Sequence, residues 1–141
     1  MLKVSSSYKG KFYIKEGTTC ISKEAFNWCE NITEIVIPDS VTHIEDYAFH
    51  LAKSLKKIVI PKNVTFVGRN ILFHCDLLKS LIILNPKLEI DEEAICPYSC
   101  PKNLVIYAEE GSTAHKYAVR KNIPFEAISD GKEDDDEKEY F

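Results

Sequence analysis

Ile37–Ile60, IPDSVTHIEDYAFHLAKSLKKIVI, is one turn of a repeat that runs along most of the chain. Ile14, Ile37, Ile60, Ile83 and Ile106 stand 23 residues apart, with no insertion between them. Other apolar columns keep the same step. Ile21, Ile44, Val67 and Ile90 follow the marker isoleucines at one fixed offset, and Ala25-Phe26, Ala48-Phe49, Ile71-Leu72 and Ala94-Ile95 at a second. Ile32, Leu55 and Leu78 form a further column that breaks at Pro101, and Ile35, Ile58, Leu81 and Leu104 another. A unit of this length is too short for two helices or for a four-stranded blade, and it fits one coil of a solenoid that buries its apolar residues against its neighbours.

Within each coil, ITEIVIP, LKKIVIP, LKSLIIL and KNLVIY are rich in β-branched residues and alternate inward with outward positions, so they read as strands. One strand per coil makes a parallel sheet of about five strands, roughly 20 Å across. Pro38 and Pro61 end two of them, because proline has no N–H for the ladder. VTHIE and VTFVG read as short extended pieces, and EDYAFHLAK and its equivalents as one or two helical turns on the far side.

The pattern L-x-x-I-x-I-P, then x-x-V-x-x-I, then x-x-A-F-x-x-C resembles the BspA-type leucine-rich repeats of bacterial and protist surface proteins. Of the family's glycines only Gly68 is matched, with Ser22, Glu45 and Asp91 at the other positions, and its cysteine stands only at Cys29 and Cys75. The expected fold is α/β: a short right-handed leucine-rich-repeat solenoid with the sheet on one face and turns on the other. Beyond it, Ser112 caps a helix with Ala114, Tyr117 and Ala118 on one face and Asn122 at its end, and IPFEAI closes as a strand. GSTAHKYAVRKNIPFE resembles the family's terminal cap, which shields the last coil's apolar edge. The division is a half coil at 1–11, about four repeats at 12–106, the cap at 107–128 and an acidic tail, disordered by composition, at 129–141.

Charge and cysteine usage narrow the function. From Asp130 onward seven acids face two lysines, so the net charge of −4 belongs to the tail and the body is near neutral. No basic stripe points to nucleic acid. No apolar run approaches the roughly 20 residues of a membrane span. The opening MLKVSSSYKGKFYIK lacks the apolar run of roughly 7–15 residues found in a secretory leader. That leaves an intracellular chain, or the mature part of a longer one at the cell surface as the resemblance implies. Five cysteines are an odd number, which tilts toward a reducing compartment.

Candidate chemistry dissolves into the repeat. Cys20 and His43 share an offset in adjacent coils, but Phe66 and Glu89 continue their column, so no third metal ligand follows. Cys29 and Cys75 lie two coils apart and read as core fillers. Cys96 and Cys100 read as structural thiols, with a disulfide as the alternative. No catalytic, cofactor or metal site emerges, and the chain reads as a non-enzyme. On the sheet face opposite the core stands an apolar column, Tyr13, Val36, Val59, Ile82 and Val105, bordered by Lys11, Glu34, Lys57 and Ser80 on one side and by Pro38, Pro61 and Tyr107 on the other. Exposed, it marks a protein-binding face, with Tyr13, Glu34, Val36, Lys57, Val59, Ile82, Val105 and Tyr107 as candidate contacts for an adhesin-like role or for self-association. The other reading is a spacer within a longer repeat protein.

Overall fold

The computed structural model describes residues 2–98 and 100–128; the acidic tail lies outside the described residues. Its main element is a six-stranded, wholly parallel sheet, formed by β1 (Gly10–Tyr13), β3 (Ile32–Val36), β5 (Lys57–Ile60), β7 (Ser80–Ile83), β8 (Val105–Ala108) and β9 (Phe125–Ala127) in that order. A second parallel sheet of three short strands, β2 (Cys20–Ile21), β4 (His43–Ile44) and β6 (Phe66–Val67), forms another side of the first three coils. The single helix among the described residues is α1, Thr113–Lys121. The Ser112 hydroxyl accepts from the His115 N–H, and Asn122 ends the helix in the left-handed conformation at φ 58°.

Stacking buries the repeated columns. Ile14, Ile37, Ile60, Ile83 and Ile106 are all buried, as are Ile21, Ile44 and Val67. Each such side chain gains about 1.5–3 kcal/mol by leaving water. Phe26 and Phe49 pack ring to ring at 5.5 Å in neighbouring coils, and Phe12 and Tyr8 carry that aromatic ladder to the N-terminal end. Residues 2–8 take part in a partial coil there: Val4 is buried and its N–H donates to the Ala25 carbonyl at 2.9 Å.

The far side differs from expectation. EDYAFHLAK and its equivalents are tight turns, because two residues per coil adopt positive φ: Glu24 and Trp28, Tyr47 and Leu51, Asn70 and His74, at 50–66°. That conformation costs a non-glycine residue roughly 1–2 kcal/mol. Hydrogen bonds between coils offset it, since the N–H groups of Glu24, Trp28, Tyr47 and Leu51 donate to the Asp46, His50, Arg69 and Phe73 carbonyls at 2.9–3.2 Å. Gly68 meets a different demand. A Cβ built there would stand 2.6 Å from the Asp46 backbone nitrogen and within 3 Å of its carboxylate, which caps the Arg69 N–H.

The fixed step also fails over the fourth coil, beyond a one-residue irregularity between Gly10 and Lys11 at the start of β1. Strands β5 and β7 pair Val59 with Ile82 and Ile60 with Ile83, but β7 and β8 pair Ser80 with Val105, Ile82 with Tyr107 and Ile83 with Ala108. The ladder has slipped by two residues over the fourth coil. Leu104, buried as Leu55 and Leu78 are, closes onto the Pro101 carbonyl as those two close onto the Ala52 and Cys75 carbonyls. Within this coil Cys96 and Cys100 are joined in a disulfide, with Cα atoms 5.1 Å apart. The expectation of free thiols is corrected: a four-residue separation on a tight bend places both Cβ atoms within bonding reach.

Candidate functional site

The outward face of the large sheet carries two parallel columns. The first runs Tyr13, Val36, Val59, Ile82 and Tyr107; the second runs Lys11, Glu34, Lys57, Ser80 and Val105. Val105 therefore leaves the apolar column for the border and Tyr107 replaces it, while both remain on the outward face. Exposure falls toward the middle of the face. Tyr13 is 65% exposed, whereas Val36, Val59, Val105 and Tyr107 are half-buried, and Ile82 is fully buried. The expectation of Ile82 as an exposed contact is corrected. It lies in register between Val59 and Tyr107, beside the equally buried Ser80 of its own strand, and these neighbours seal it without its joining the interior core.

Charge collects at the N-terminal end of the face. The Lys11 amine lies 3.8 Å from the Glu34 carboxylate and 5.2 Å from the centre of the Tyr13 ring. Both ionic side chains are substantially exposed, so the pair adds little stability and serves mainly to hold the rim of the stripe.

The thiols and imidazoles are placed for packing. Cys20 and His43 are ladder partners, and the His43 ring lies 5.7 Å from the Phe66 ring that continues the column. Burial, with the Glu45 carboxylate adding to it, pushes the Cys20 thiol up, away from the thiolate a nucleophile needs. Burial likewise raises Cys29. The Cys75 thiol is pushed up to about 12 by burial and donates to the Phe49 carbonyl at 3.1 Å. His115 accepts from the Gly111 N–H at 2.9 Å and stacks on Phe125 at 4.0 Å, as a cap residue should. His50 stacks on Phe73, and burial, then the neighbouring His74, lowers its pKa.

Cys75 yields a measurable pH dependence. Its folded-state value lies above the ordinary 9.0, so its contribution is complete below pH 9 and is lost as pH rises toward 12, where only the unfolded chain ionises. The expected advantage of the natural chain over Cys75→Ala, measured by urea unfolding, shrinks by about 1.4 kcal/mol per pH unit above pH 9. An advantage that stays constant to pH 11 would show the thiol to be solvated.

A family comparison agrees with this geometry. The model of the BspA type leucine rich repeat region matches residues 9–122 in six copies. The chain belongs to this family. No curated protein and no solved structure matches it. BspA-type repeats make the array a repeat module of the protein-interaction kind. Among the described residues no helix is long and apolar enough to cross a membrane.

Proposed function

We propose that this BspA-type array is a non-enzymatic, adhesin-like module that binds a protein partner through the outward face of its six-stranded sheet. The observation that carries the reading is the graded stripe. Tyr13, Val36, Val59 and Tyr107 present partly exposed apolar surface over a sealed Ile82, with Glu34 and Lys57 beside them. Aromatic anchors set in a parallel ladder lose little conformational entropy on binding, and tyrosines are among the side chains that carry most of the energy of protein interfaces.

One double variant tests this. Tyr13→Lys with Val59→Lys changes only exposed or half-buried positions, so folding is expected to survive. Hydroxyl-radical footprinting of the natural chain with extracts of its source should protect Tyr13 and Tyr107 while leaving Trp28, exposed on the turn side, fully labelled. The double variant should lose the proteins retained by the natural chain. Retention of the same proteins, with Tyr13 and Tyr107 still labelled, excludes the sheet face as the binding surface. Sedimentation of both chains reads out self-association as the other use of the same stripe.

A further inference from the structure

The small sheet stops one coil early. At each earlier coil two carbonyls hand hydrogen bonds to the next: Thr19 accepts from the Thr42 and His43 N–H groups and Ile21 from Glu45; Thr42 accepts from Thr65 and Phe66 and Ile44 from Gly68. The equivalent carbonyls of β6, on Thr65 and Val67, accept from no N–H among the described residues, and the segment 88–91 that should supply the donors forms no strand. The cap explains the break. Thr113 at the start of α1 binds the Pro86 carbonyl through its N–H and the Leu88 carbonyl through its hydroxyl, so the chain there is held to the helix rather than to β6.

An open groove is left along the β6 edge. One cavity of about 460 Å³ lies between Phe66 and Val67 on one side and Glu89, Ile90, Asp91, Lys116 and Arg120 on the other. A second, of about 450 Å³, continues it past Gly68 to Glu93 and shares Phe66, Val67 and Asp91 with the first. Its charges are unequal. Arg120 is paired with Glu92 at 2.9 Å and Arg69 with Glu93 at 3.7 Å, whereas Glu89 and Asp91 have no basic partner among the described residues. Lys116 is the one remaining cation on the wall, so the groove carries an excess of carboxylate.

We infer that this groove is a docking site for an extended peptide strand with basic side chains, which adds to β6 in parallel and completes the three-stranded sheet. The strand's alternate N–H groups reach the Thr65 and Val67 carbonyls in the pattern that Phe66 and Gly68 use toward Thr42 and Ile44. Side chains on the same alternate residues point outward toward Glu89 and Asp91, and those between them lie over Val67 and Ile90. This site is separate from the sheet face and stands whether or not that face binds a partner.

The test uses the whole chain and the peptide Ac-Thr-Lys-Val-Lys-Thr-NH2. Titration followed by amide NMR is expected to shift Thr65, Phe66, Val67 and Gly68 together. N-methylating both lysine amides removes the two donors and should weaken binding at least about tenfold, given roughly a net hydrogen bond's worth at each site plus steric exclusion. N-methylating the central valine, whose N–H faces away, should leave affinity within about twofold. Exchanging both lysines for glutamate, or making Glu89→Lys, should weaken binding about fivefold, as an exposed ion pair allows. Absence of shifts at β6 with millimolar peptide overturns the inference. So does equal binding by the two methylated peptides, which would mean that side chains alone are recognised.

Discussion

Phe49→Ala is expected to remove about 3–5 kcal/mol of stability, a large part of what a domain of this size holds. The ring is fully buried and packs on Phe26 at 5.5 Å, which in turn meets Phe12 at 5.3 Å. Truncation leaves a cavity that the coils cannot close, because their spacing is set by the ladders on two other sides. Each coil of a solenoid touches only its neighbours, so the damage is expected to be directional. The coils before Phe49 lose the aromatic link that adds to their aliphatic columns. Trp28, the sole tryptophan, sits in that N-terminal part and reports on it, while far-UV circular dichroism reports on every strand. In the variant the tryptophan transition should fall to lower urea than the circular-dichroism transition, whereas in the natural chain the two coincide. A loss below about 1 kcal/mol, or transitions that move together, would show the aromatic ladder to be incidental to coil coupling.

The same ladder shows what a periodic sequence reveals. Inward columns such as Ile37/Ile60 and Phe26/Phe49 follow from spacing alone, because every coil repeats the same environment. The helical cap was equally legible, since Ser112 and Asn122 are residues whose side-chain and backbone preferences mark helix ends. The two-residue slip before β8 was not. Side chains along a strand alternate with period two, so a slip of two returns every residue to the face it would have had. Ile106 is inward and Val105 and Tyr107 outward under either register, and only the ladder distinguishes them. The turn side was opaque for another reason. Trp28, Tyr47 and Leu51 are not residues that favour positive φ, and hydrogen bonds to the adjacent coil hold them there. The β6 groove was hidden likewise: the Glu89-Ile90 segment keeps the repeat's pattern, and the Thr113 contacts that draw the chain toward α1 come from a different part of the sequence.

Ile82→Lys is the variant for which strand alternation and the structure disagree most. Alternation places Ile82 on the outward face, where a lysine would be tolerated; the structure leaves it none of its surface exposed. A lysine there loses the isoleucine's contacts with its ladder partners Val59 and Tyr107 and must either bury its ammonium or force those neighbours apart. The expected cost is about 3–5 kcal/mol, within the range reserved for buried, unpaired charge. That lowers the melting temperature by about 10–20 °C for a chain of this size. Val59→Lys, at a half-buried position in the same column, should cost no more than about 1 kcal/mol, because its stem can lie along the sheet with the amine in water. Thermal unfolding of the two single variants therefore separates packing from recognition on one stripe. If Ile82→Lys melts with Val59→Lys, the centre of the face is open and Ile82 returns to the binding surface. If it melts far below, a partner meets Tyr13, Val36, Val59 and Tyr107, and lost binding in an Ile82 variant reports on folding.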